Sequence, residues 1–197
     1  YKGETIDYAE TWRQVQATQA QLHALGLRRG ERVAIYLEKR IETVVALFGT
    51  SAAGGIFVPI NHVLKAPQVS HILSDSGARV LVTSIERLRQ IEGMLSDTDI
   101  EVVVVVGAGA MPALDDVAVR AWHDTPAGEA AVAPVASVDL DPAAILYTSG
   151  STGKPKGVVL SHRNLIVGAE SVSGYLGNSA SDVILSVLPL SFDAGLS

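Results

Sequence analysis

Between Tyr147 and Gly157 the chain reads Tyr-Thr-Ser-Gly-Ser-Thr-Gly-Lys-Pro-Lys-Gly. The ten residues from Thr148 to Gly157 hold three glycines, four hydroxyl side chains and two lysines. Glycine lets backbone N–H groups turn inward and come close to a ligand. Serine and threonine hydroxyls donate to phosphate oxygens, and a lysine ammonium neutralises them as a point charge. The chemistry indicated is a loop that wraps a polyphosphate. Its parts would be Thr148, Ser149, Gly150, Ser151, Thr152, Gly153, Lys154, Lys156 and Gly157. The competing reading is a Gly/Ser/Thr-rich surface turn with incidental lysines. Against it, apolar runs on both sides, Ala143–Leu146 and Val158–Leu160, read as buried strands.

The spacing is not that of the common phosphate loop, which needs glycine, four residues, then Gly-Lys-Ser/Thr. Thr148 stands where the first glycine belongs, and Pro155 stands where the Mg²⁺-binding hydroxyl belongs. Proline also disfavours a helix running on through Lys154. The phosphates are therefore expected on a strand–loop–strand element, not at a helix N-terminus.

The elements that must position this loop read as strand–helix alternation. Tyr8–Leu25 carries Trp12, Val15, Leu22 and Leu25 at helical spacing and stops at Gly26. Strands are expected at residues 32–37, 56–60, 79–83 and 100–106, and helices at 41–53, 67–76 (closed by Gly77) and 85–95. Residues 107–116 read as a loop and 117–122 as one or two helical turns. Ser161 is the expected N-cap of a helix from His162 to Tyr175, and Val183–Leu188 reads as a strand. Continuous apolar strands alternating with helices imply an α/β fold, with parallel-rich sheets flanked by helices. The expected organisation is one truncated domain. Residues 1–124 form a first α/β region, 125–137 a Pro/Ala/Gly-rich connector, and 138–197 the loop segment and the start of a further subdomain.

Composition narrows the function. With 197 residues, 48% of them hydrophobic, the chain can bury a sizeable core. A net charge of -6 without a basic block argues against nucleic-acid or anionic-membrane partners. The absence of cysteine excludes disulfides and thiolate metal sites and agrees with a cytoplasmic setting. No apolar run approaches 18 residues and no signal-peptide pattern opens the chain, so no transmembrane segment is expected. Tyr1 in place of methionine, and apolar residues running almost to Ser197, suggest a piece of a longer protein.

The run from Tyr147 through Leu165 closely resembles the signature loop of the AMP-forming adenylating enzymes. These include acyl-CoA synthetases, luciferases and the adenylation domains of nonribosomal peptide synthetases. Ala53–Asn61 (AGGIFVPIN) and Ile72–Val82 (ILSDSGARVLV) resemble further motifs of the same superfamily. The resemblance implies that residues 148–157 hold the β- and γ-phosphates of ATP. Lys156 takes the family's regular Pro-Lys-Gly lysine, and Lys154 a position of variable residue type. It also implies Mg²⁺ and CoA as cofactors, and partners limited to a carboxylic acid, ATP and a CoA or carrier-protein thiol. The family's catalytic lysine, its adenine and ribose motifs and its Mg²⁺-binding glutamate fall beyond Ser197. No catalytic residue or metal ligand is therefore expected in this stretch, which alone should be inactive.

Leu188–Gly195 aligns with the family motif that borders the acid pocket. Phe192-Asp193 resembles the Phe-Asp of amino-acid-activating domains, whose aspartate pairs with the substrate ammonium, and a carboxylate beside a cation is sound electrostatics. Gly195, however, replaces the serine those domains carry, while Leu160–Leu165 and Asp75–Val80 are more like acyl-CoA synthetases. The reading is an acyl-CoA ligase. An amino-acid adenylation domain and a non-catalytic nucleotide-binding domain are the alternatives. His162, at a helix start, reads as capping or packing, and His23, His62, His71 and His123 as structural or solvent-facing. Asp115-Asp116 reads as surface.

Overall fold

The computed structural model describes residues 1–123, 135–148 and 154–196, apart from the side chains of Asp193 and Ala194. The strands are β1 (Arg32–Tyr36), β2 (Ile56–Pro59), β3 (Val80–Ser84), β4 (Val102–Val106), β5 (Ala118–Ala121), β6 (Pro142–Thr148) and β7 (Lys156–Ser161). The helices are α1 (Tyr8–Ala24), α2 (Ile41–Ala52), α3 (Ala66–Ser76), α4 (Ile85–Ile91), α5 (His162–Leu176) and the short α6 (Asp193–Leu196). A 3₁₀ turn at Glu92–Asp97 follows α4, so the expected helix over 85–95 stops short of Gly93. All seven strands form one sheet in the order β5-β4-β3-β1-β2-β6-β7. Neighbours from β5 through β6 are parallel, and β7 returns antiparallel to β6 at the edge.

Alternating strand residues feed two cores. Ala34, Tyr36, Leu81, Val103 and Val105 pack under α3 and α4, through Val69, Ile72, Leu73, Leu88 and Ile91. Val33, Ile35, Val80, Val82 and Val104 pack under α1 and α2, through Leu22, Ala46 and Leu47. A strand covered on both faces has no polar side to show, which is why β4 is an unbroken apolar run and β1 and β3 are apolar at Val33–Tyr36 and Val80–Val82. The architecture is the α/β one expected from the sequence.

Local chemistry fixes the ends of these elements. Asp7 caps α1 by accepting from the Glu10 N–H at 2.7 Å. Ser161 caps α5, its Oγ accepting from Asn164 N at 3.2 Å while Asn164 Oδ1 accepts from Ser161 N at 2.9 Å. Gly77 ends α3 in the left-handed conformation, φ 57°. Arg32 then donates to the carbonyls of Ser76 and Gly77, each at 2.6 Å, and so ties α3 to the start of β1.

Three expectations need correction. Residues 118–121 are a strand, not a helical turn: Val117 and Val119 face one core while Ala118 and Trp122 face the other, a period of two. Residues 183–188 form no strand among the described residues; they have no regular structure and are exposed, with Val183 97% and Leu185 81% accessible. The run Val158–Leu160 is a strand but not a buried one, because β7 is the sheet edge and Val159 is 58% exposed.

Candidate functional site

The stem of the candidate loop is the β6–β7 hairpin. β6 has a buried middle, Ala143, Ala144, Leu146 and Tyr147, and its register partners on β7 run from Ser161 opposite Pro142 to Lys156 opposite Thr148. Because β6 runs parallel to β2, Thr148 lies at the carboxyl edge of the parallel strands. That edge is where open α/β sheets bind their ligands. Thr148 and Lys156 therefore face each other at the mouth of the hairpin, both exposed, with Lys154 exposed two residues out. Ser149, Gly150, Ser151, Thr152 and Gly153 lie outside the described residues.

The hairpin is held from one side by α3. The Tyr147 hydroxyl donates to Asp75 Oδ2 at 2.6 Å. Burial of the phenol, reinforced by its carboxylate acceptor, pushes its pKa above the ordinary value, so it stays a neutral donor. One helical turn earlier, His71 Nε2 lies 3.1 Å from the Pro155 carbonyl and donates to it in the tautomer protonated there. Gly157 makes room for the tyrosine: a Cβ at 157 would sit 3.1 Å from Tyr147 Cζ and 2.8 Å from Ile145 Cγ2. Here glycine is needed for close approach, since nothing marks its backbone as left-handed.

The motif at 188–195 reaches a different part of the same edge. Pro189, Leu190 and Ser191 help to line a cavity of about 140 Å³ with Leu37, Ile60 and His62 at the ends of β1 and β2. Lys39 ties the segment down, its Nζ donating to Ser186 O at 2.8 Å and to the Leu188 carbonyl. Ser191 Oγ is buried and has no hydrogen-bond partner among the described residues. Phe192 is 41% exposed and does not line the cavity, and the Asp193 side chain lies outside the described set. A Cβ at Gly195 would collide with the Pro189 carbonyl, so this backbone has no space for the serine of amino-acid-activating domains.

A model of the AMP-binding enzyme family matches residues 1–197. The chain belongs to that family. Among relatives of this chain, 4-coumarate–CoA ligase 2 of Oryza sativa subsp. japonica is 32% identical over 95% of this chain and 35% of its own length. Surfactin synthase subunit 3 of Bacillus subtilis is also 32% identical, over 98% of this chain and 14% of its own. The ATP-bound structure of MatB from Rhodopseudomonas palustris superposes with a TM-score of 0.80 at 27% identity, covering 99% of this chain and 37% of that one. The chain thus spans about a third of the length of such ligases and less of the synthase.

The remaining candidates do not gather at the hairpin mouth. His162 sits at the far end of β7, its N–H donating to Asp141 O at 3.1 Å. His123 packs against α1, 3.1 Å from Thr18 Oγ1, and burial lowers its pKa. Asp116 is on an exposed loop with φ 59°. Among the described residues no three His, Asp or Glu side chains converge to hold a metal ion, and no helix is long and apolar enough to cross a membrane. Sequence reading passed over His71, Asp75 and Lys39 as site residues. The signal for the first two was their spacing of four on α3, which puts both on one face.

Proposed function

We propose that this AMP-binding enzyme chain is the phosphate-binding part of an ATP-dependent, AMP-forming ligase of the acyl-CoA synthetase type. Thr148, Lys156 and Gly157, with Ser149 to Lys154 between them, hold the β- and γ-phosphates. The supporting observation is the hairpin mouth: a hydroxyl and a lysine paired across β6 and β7, exposed at the carboxyl edge of the parallel strands. In the first step a carboxylate oxygen attacks the α-phosphorus, the bond to the β-phosphate bridging oxygen breaks, and pyrophosphate leaves. In the second a thiol, that of CoA in this reading, attacks the acyl carbon; AMP leaves and the thiol proton goes to solvent. The first step asks little covalent chemistry of the protein. Orientation of the triphosphate and neutralisation of the departing pyrophosphate are what the hairpin supplies. In this reading Mg²⁺ arrives with the ATP phosphates, as is usual for that ion. We read its setting as cytoplasmic, in keeping with the lack of cysteine.

The acyl reading is preferred over the aminoacyl one because of Gly195 and its crowding by Pro189. The surfactin synthase relative supports the second reading. Pyrophosphate exchange into ATP by the full-length protein, run against fatty, aryl and amino acids, separates the two. Exchange driven by fatty or aryl acids is expected; exchange driven only by amino acids would replace the acyl reading with the aminoacyl one.

A further inference from the structure

The α3 face toward the hairpin has a geometry that matches the loop's stems. His71 and Asp75 are four residues apart, about 6 Å along a helix axis. Their partners are the Pro155 carbonyl and the Tyr147 hydroxyl, and the Tyr147 ring lies over Gly157, its register partner on β7. Pro155 and Gly157 are two residues apart, about 7 Å along a strand. The helix repeat and the strand repeat thus coincide over one turn, and each side chain meets one stem. The incoming stem is held through Tyr147 and the outgoing one through Pro155. α3 is itself fixed to the sheet, by Val69, Ile72 and Leu73 in the core and by Arg32 at its carboxyl end.

We infer that Asp75, Tyr147 and His71 are positioning residues, clamping the two stems so that Thr148 and Lys156 meet the triphosphate at a fixed separation. The inference rests on the reading that this hairpin binds ATP phosphates. Asp75 is exposed, and among the described residues its carboxylate reaches the hairpin through Tyr147, so none of the three need contact a reacting atom. The pair is arranged for a conservative test. Tyr147→Phe removes one oxygen and keeps the ring in the space over Gly157, Asp75→Ala removes the acceptor, and Asp75→Asn keeps an oxygen that can still accept.

Two readouts are made on the full-length protein. In carboxylate-dependent ATP–pyrophosphate exchange, Tyr147→Phe and Asp75→Ala should each raise KM for ATP roughly three- to tenfold, the worth of one hydrogen bond. KM for the acid should stay unchanged, and Asp75→Asn should restore most of the loss. The double variant should be no worse than either single one, because both remove the same contact. In limited trypsinolysis without ligand, cleavage after Lys156 should accelerate several-fold in Tyr147→Phe and His71→Ala, while melting temperatures stay near that of the parent protein. Unchanged cleavage overturns the clamp. Faster cleavage with unchanged KM for ATP overturns its role in positioning the phosphates. A parent protein that shows no exchange with any acid removes the ATP reading and with it the positioning role, whereas the cleavage rates still decide whether α3 grips the stems.

Discussion

The sheet joins two unlike halves. From β5 to β2 the sheet is covered on both faces: all five residues of β4 and all five of β3 are buried, under α1 and α2 on one side and α3 and α4 on the other. From β6 outward the cover thins. α5 caps and starts correctly yet has no buried residue among its 15, and Val158, Val159, Ile166, Tyr175 and Leu176 remain exposed. The residues that can do chemistry stand on the boundary between the halves, at the end of β6, the last strand with a buried middle. α3 provides a rigid reference, and the hairpin mouth presents the exposed Thr148 and Lys156. Rigidity on one side and access on the other is what a positioned binding loop requires.

Cutting into each half should therefore give unequal results. The largest effect is expected from Leu81→Ala, at a fully buried position of β3 under α3 and α4, which should lose about 2–5 kcal/mol of unfolding free energy in urea. Val159→Ala, on β7 of the open half, should lose under about 0.5 kcal/mol in the same titration. Equal losses would erase the distinction. Gly157→Ala lies at the boundary, where the added methyl must displace Tyr147 or Ile145. A loss of about 1–3 kcal/mol is expected, and it should be accompanied by weaker ATP binding in calorimetry.

A further small effect is electrostatic and belongs to the covered half. Burial would raise the pKa of Glu31. The Arg28 N–H and the Arg79 guanidinium at 2.7 Å outweigh it, and hold the carboxyl below its ordinary 4.5. A depressed carboxyl stabilises the fold fully above its unfolded value and loses that contribution as pH falls through the folded one. Glu31→Gln should accordingly flatten the acid side of the stability curve below pH 4.5, by under about 1 kcal/mol, and leave the neutral side nearly parallel to the parent. A variant equally acid-sensitive would assign that loss to other groups.

The covered half was the more legible in sequence, for a physical reason. Where both faces of a strand are buried, as in Val102–Val106, composition alone reports the element, and Gly77 marks a helix end through local backbone chemistry. Ala118–Ala121 is too short for its period of two to stand out from helical spacing, so only its pairing with β4 reveals it as a strand. Val183–Leu188 has the composition of a core strand, but strand formation needs a partner, and the described residues provide none. Within the site, the hydroxyls, glycines and lysines of 148–157 announced themselves by type. Asp75 and His71 did not, because their role depends on which strand α3 packs beside, and that is set by contacts more than seventy residues apart.

The central claim is that the β6–β7 hairpin holds the phosphates of ATP while its α-phosphorus is given to a carboxylic acid. The most direct test is ATP–pyrophosphate exchange in the full-length protein, with and without an activating acid, for the parent and for Lys156→Ala. Exchange that requires the acid, and that falls at least tenfold when the Lys156 ammonium is removed, is the predicted result. Acid-independent ATP turnover, or undiminished exchange in Lys156→Ala, would contradict it.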